Sequence, residues 1–219
     1  MMTQVAGPTA ALAGIPGGLQ AQGVWAGRRQ LFVRFAAEAE TATMYTADAL
    51  ANEIKRSTSR SSFHSISISG RDPLANVEYL CGAFDKTPAA LPVMLDCDGQ
   101  RPEGIAELRA FLTLAQITLE GAMLEPQSER AMQSLKVAAE NGLQHALVIG
   151  ADERTSDAVV LRIVEQAHGA SDRTTIVIHP GSGSSLDRDR RWMTMLERAA
   201  AVHSDVRLAI RLPPPTGMR

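Results

Sequence analysis

The chain has 219 residues, 45% of them hydrophobic and 21% charged, with a formal net charge of −2. That length can bury one sizeable core. The balanced charge argues against a broad basic surface, and 4% aromatics argues against base-stacking platforms, so nucleic acid is not an expected partner. No apolar run approaches the ~20 residues of a membrane-spanning helix, so a membrane is not expected either.

Residues 1–18 are rich in Ala, Gly and Pro and lack the basic and apolar segments of a signal peptide. They read as a flexible lead-in to one domain over 19–219, and the expected compartment is the cytoplasm. Leu19 to Arg28 is a loop punctuated by Gly23 and Gly27. Leu31 to Phe35 is a short apolar strand in which Arg34 is embedded. An unpaired charge there would be costly, so Arg34 should have a carboxylate or ligand partner. Residues 36–45 read as a loop. Thr46 looks like an N-cap for a helix over Ala47–Arg56, with Leu50 and Ile54 on one face. Ile66 and Ile68 mark a strand ending at Ser69, and Pro73 opens a helix to about Phe84. Pro92–Cys97 reads as a strand, Asp98-Gly99 as a turn and Pro102–Leu112 as a helix.

The same alternation continues to the end. Strands are predicted over Ala115–Leu119, His145–Ile149, Thr174–Ile178 and Val206–Ile210. Helices are predicted over Ser128–Asn141, stopped by Gly142; from a Thr155 or Ser156 cap to His168; and over Leu186–Val202. About six strand–helix units and a closing strand imply an α/β fold with a parallel sheet covered by helices. An incomplete parallel (β/α) barrel is the favoured form, and a flat doubly wound sheet is the alternative. Either way the working face lies at the carboxyl ends of the strands.

Candidate chemistry is sparse. Cys81 and Cys97 are the two cysteines, fewer than the three or four protein ligands of a usual zinc site. Cys97 ends a strand and could be nucleophilic, but no His adjoins it in sequence, and a buried small filler is the favoured reading. His179-Pro180-Gly181 to Ser185 joins a strand to a helix, where backbone N–H groups can cradle phosphate. It lacks the Lys of a P-loop and reads as an ordinary connection. Asp187 to Arg191 alternates in sign and reads as a solvated helical turn. His64, His145, His168 and His203 have no ligand spacing.

Leu19-Gln20-Ala21-Gln22-Gly23-Val24-Trp25-Ala26-Gly27-Arg28 and the strand to Phe35 resemble the opening of the radical-SAM enzyme 7-carboxy-7-deazaguanine synthase. Gln20, Gly23, Gly27 and Arg28 stand at matching places, and Gln22 stands where the family has Glu. Ser69-Gly70-Arg71-Asp72-Pro73 sits where the family has Thr-Gly-Gly-Glu-Pro. Asp96-Cys97-Asp98-Gly99 sits where it has Glu-Thr-Asn-Gly. Gly217 and Arg219 match its tail, while Ile210, Arg211, Pro213 and Pro214 replace its Pro-Gln and His-Lys. The resemblance implies an incomplete barrel of the radical-SAM type. It implies substrate contacts at Gln20, Gln22, Gly23 and Arg28, and S-adenosylmethionine contacts at Ser69, Gly70 and Asp72.

The family's C-x3-C-x2-C triad, which holds a 4Fe–4S cluster, is replaced here by Ala36-Ala37-Glu38-Ala39-Glu40-Thr41-Ala42. The Thr that helps hold magnesium has no counterpart. The expectation is therefore a non-catalytic relative with no catalytic residues, metal or cofactor. It would act as a ligand-binding or partner protein related to 7-deazapurine (queuosine) biosynthesis. Its expected ligand is a small anionic or purine- or pterin-like molecule, and a homodimer is compatible with the reading. The alternatives are an iron-independent enzyme using Asp72, Asp96, Asp98 or Cys97 and, last, an active radical-SAM enzyme completed by a partner's cysteines.

Overall fold

The computed structural model describes residues 7–87, 91–181, 190–210 and 212. Arg29–Phe35 (β3) illustrates how the sheet arises from sequence. Leu31, Val33 and Phe35 alternate into the core, while Arg29 and Arg34 stay exposed. Six strand–helix units follow, as expected. Ala47–Arg60 (α1) leads to Ser65–Gly70 (β5), Val77–Phe84 (α2) to Val93–Cys97 (β6), and Pro102–Leu108 (α3) to Leu114–Glu120 (β7). Ser128–Glu140 (α4) leads to Gln144–Ala151 (β8), Asp157–Ala170 (α5) to Thr175–Pro180 (β9), and Arg190–Ala200 (α6) to Val206–Leu208 (β10). Thr46 caps α1 and Ser156 caps α5, each accepting from a first-turn backbone N–H.

Three further strands lie outside this alternation: Thr9–Gly14 (β1), Gly17–Leu19 (β2) and Thr43–Thr46 (β4). The described sheet runs β10-β9-β8-β7-β6-β5-β3-β1-β4, with β2 also on β3. From β3 to β10 every neighbouring pair is parallel. The expected flexible lead-in is corrected here from residue 9 onward. Ala10 and Leu12 are buried, and β1 and β2 pair antiparallel with β3. These strands supply partners to an edge that would otherwise be open. β4 likewise overlaps the predicted loop 36–45 and pairs with β1. Residues 1–6, Ser182–Ser185, the start of the predicted helix at Leu186, Arg211, and the tail with Pro213, Pro214, Gly217 and Arg219 lie outside the described residues.

From β3 to β10 the strand order advances in one direction without the reversal that marks a doubly wound sheet. Right-handed crossovers then place successive helices on one face, and consecutive helices from α1 to α6 pack against one another. Val33, Ile68, Leu95, Ile117, Ile149 and Ile178 meet Leu50, Ile105, Leu135, Val164 and Trp192 in one core cluster. Each large apolar side chain buried there contributes ~1.5–3 kcal/mol. The opposite face is mixed. Met94, Leu114 and Ala146 form a second cluster with Val24 and Trp25, which come from the loop between β2 and β3. No helix among the described residues is long and apolar enough to cross a membrane.

Candidate functional site

The carboxyl ends of β5, β6 and β7 border a shallow, open pocket of about 370 Å³ lined by Ser69, Gly70, Asp96, Cys97, Asp98, Thr118 and Glu120, among others, with Gln22 reaching its wall from the loop. Gly70 is required by its backbone. It has φ +96°, and a Cβ there would lie 2.2 Å from the Phe35 carbonyl oxygen. The next turn holds Asp72, the sole non-glycine residue with positive φ among those described, at +41°. Such positions cluster at functional sites.

Asp96 forms the floor. Its Oδ1 accepts from the Thr118 hydroxyl at 2.7 Å. Burial pushes the carboxyl above its ordinary range, and nearby Glu120 adds to the rise; Thr118, Gln116 and Gln20 oppose it. Cys97 also borders this pocket but is buried and packs in the helix-side core cluster. Burial pushes its thiol far up, with the Asp96, Asp98 and Asp72 carboxylates adding to the effect. A thiol so disfavoured as thiolate makes a poor nucleophile, in line with the filler reading.

A second pocket of about 560 Å³ adjoins the first and shares Gly70 and Asp98 with it. Here Asp72 is already engaged. Arg101 Nε donates to its Oδ1 at 2.8 Å and Nη2 to its Oδ2 at 2.8 Å, a two-pronged grip. Arg71 also lines this pocket and pairs with the exposed Glu38 at 2.8 Å. Arg130 completes the basic side of the wall.

The loop from Gln20 to Arg28 forms a strap across the helix-free face. It is pinched at its base, where Gln20 N donates to Arg28 O at 2.9 Å and Gly27 N to Gln20 O at 2.8 Å. Farther out, Gly23 N donates to His179 Nε2 at 3.2 Å and Val24 N to Gln116 Oε1 at 3.2 Å. Gly23 has φ +77°, and a Cβ would fall 1.8 Å from Gln116 Oε1. Gln20 is buried beneath, its amide donating weakly to Met94 Sδ at 3.9 Å.

Of the residues singled out from sequence, Gln22, Ser69 and Gly70 thus share one pocket, and Asp72 lies in the next. Gly23 holds the strap down, and Gln20 lies under it. Arg28 is exposed at the amino end of β3 and is not part of the pocket wall. Arg34 has the expected carboxylate, Glu40, at 3.0 Å, but both are largely exposed, because Arg34 lies on the solvent side of its strand.

Gln116, Thr118 and Glu120 escaped notice in the sequence. The available signal was a polar residue at every second place of an apolar strand. His168 and His203 do meet, Nδ1 to Nδ1 at 3.2 Å, where the ends of α5 and α6 come together; 35 residues separate them in the chain. Among the described residues no three His, Cys, Asp or Glu side chains converge as metal ligands.

The residues present do not fit an iron–sulfur cluster. The segment after β3 offers no thiol, Glu40 pairs with Arg34 and Glu38 with Arg71, and Cys97 is buried in the core. No protein-family model matches the chain, and no curated protein matches it.

Proposed function

We propose that this chain is a 7-carboxy-7-deazaguanine synthase-like protein that keeps an incomplete parallel barrel without the family's cluster. It binds a small purine- or pterin-like ligand at the strand-end pocket, in a role related to 7-deazapurine biosynthesis. The observation that carries this reading is convergence. Gln22, Ser69, Gly70 and Asp96 come from three segments selected by resemblance, and all of them line one pocket. The barrel is supported by the unreversed strand order and by the backbone bond from Leu212 N to Ala21 O at 2.9 Å. That bond joins the chain beyond the last parallel strand to the loop before the first.

The wall chemistry selects among ligands. Asp96, Asp98 and Glu120 face the pocket with no Lys or Arg among the lining residues. This favours a heterocycle that donates hydrogen bonds, such as a 2-amino-4-oxo pyrimidine edge, over an anion. A second reading has one observation in its favour. Asp96, with its raised proton affinity, could serve as a general acid in an iron-independent enzyme.

Calorimetry and thermal shift with guanine- and pterin-type compounds test the proposal. A ligand at ~100 times its dissociation constant should stabilise the protein by ~2.7 kcal/mol. Analogues lacking the 2-amino group should bind more weakly, as should the ligand to Asp96→Asn. Equal binding by wild type and Asp96→Asn would place the site elsewhere. Chemical turnover of the bound compound would favour the second reading.

A further inference from the structure

We infer that the strap, residues 20–28, is a gate over the strand-end pocket. It opens as a local unit and carries Gln22 into the pocket wall when it closes. Three observations on the helix-free face lead there.

First, the strap adds no strand of its own to the sheet. Among the described residues, beyond its pinched base, it is attached by the Gly23 and Val24 N–H groups to the His179 and Gln116 side chains, by Leu212 N to Ala21 O, and by Trp25 against His64. Val24 and Trp25 also pack over Met94, Leu114 and Ala146. The sheet beneath is held instead by continuous parallel pairing from β5 through β9. A segment held by scattered contacts rather than by a hydrogen-bond ladder belongs to the less stable part of a molecule.

Second, the closed strap leaves a polar atom without a partner. Gln22 Oε1, on the strap and in the pocket wall, is buried and makes no hydrogen bond among the described residues. Such a group is normally satisfied by water or ligand, and leaving it unpaired disfavours the closed state when the pocket is empty. A donor-bearing ligand facing Gln22 Oε1 would remove part of that penalty. Closure is thereby coupled to the right occupant.

Third, the strap has one hinge-capable end and one tight seat. Gly27, with φ +79°, has open space where a Cβ would be, whereas Gly23 is pressed against Gln116. Gly23 also has a positive φ, +77°, and its closeness to the Gln116 amide gives the closed position a defined seat rather than a loose drape.

Such a gate serves the ligand site proposed above, yet its motion can be tested without any ligand. In native-state hydrogen exchange on the wild-type protein, the Gly23 and Val24 amides should exchange at least ~100-fold faster than those of Leu147 and Val148. Their rates should also be nearly independent of low urea concentrations. In Gly23→Ala the backbone at φ +77° is strained and the added methyl must displace the Gln116 amide that holds the strap. Trp25 emission should then shift to the red and become open to acrylamide quenching, while the fold melts cooperatively as before. Trp25→Phe assigns that signal, since Trp192 is fully buried in the helix-side core.

Strap amides as protected as the sheet centre would overturn the gate. So would unchanged Trp25 emission in a folded Gly23→Ala. If Gly23→Ala does not fold, the wild-type exchange rates decide alone. A fast-opening strap in a protein that binds none of the heterocycles would sustain the gate and remove the ligand reading.

Discussion

At the scale of single residues, Asp96 concentrates the chemistry of this molecule. It lies on a strand whose neighbouring places are apolar, so folding strips water from its carboxyl while the Thr118 hydroxyl compensates in part. A carboxyl held above its ordinary ~3.9 takes up a proton more readily folded than unfolded. Its contribution to stability is therefore most favourable at low pH and declines as pH rises through the folded pKa. Asp96→Asn keeps an oxygen to accept from Thr118 and removes the charge. It should raise the melting temperature at pH 7–8 and change it little near pH 4, as read from thermal melts across that range. A lower melting temperature at pH 8 would mean that the pocket stabilises the carboxylate.

Among the elements, the turn after β5 is the most constrained. Gly70 needs positive φ and passes the Phe35 backbone too closely for any side chain, and two residues on, Asp72 stays left-handed while gripped by Arg101. Gly70→Ala combines backbone strain with a clash against main chain that cannot move aside. It should cost ~2–4 kcal/mol in urea unfolding. The same turn places Ser69 and Gly70 in one pocket and Asp72 in the other, so the variant should also weaken ligand binding. A loss below ~1 kcal/mol would show that the Phe35 carbonyl has room to shift.

For the whole molecule, one helix layer, one sheet and an apolar cluster on each face of it leave the carboxyl edge as the place where polar groups gather. The segment leaving β3 at that edge carries carboxylates paired to arginines. Anaerobic reconstitution with iron and sulfide, followed by metal analysis, should therefore find no stoichiometric iron. A content near ~4 iron atoms per chain would contradict the reading of this segment.

The amino-acid sequence by itself determined the alternation of six helices with parallel strands. Burial on a strand or helix face leaves a periodic trace within a few residues, as in Leu31-Val33-Phe35 or Leu50-Ile54. It also marked the cap at Thr46 and narrowed the other to Thr155 or Ser156, of which Ser156 caps α5, because capping is a bond between near neighbours. Gln22, Ser69 and Gly70 were singled out only by the family resemblance, Gln22 in the loop before β3 and Ser69-Gly70 at the end of β5. Which strands pair was decided elsewhere. The four residues of β4 are too short and too exposed to leave a pattern, and β1 carries only Ala10 and Leu12 on its buried side. The strap could be seen only in three dimensions. Val24 meets Gln116 across 92 residues, and Gly23 meets His179 across 156. Nothing in the local pattern of either partner encodes the other. Tertiary structure likewise settled that Arg101 claims Asp72 and that Arg28 stands at the opposite end of the strands from the pocket. The side on which a charged residue emerges depends on how the strands are packed, not on its neighbours in the chain.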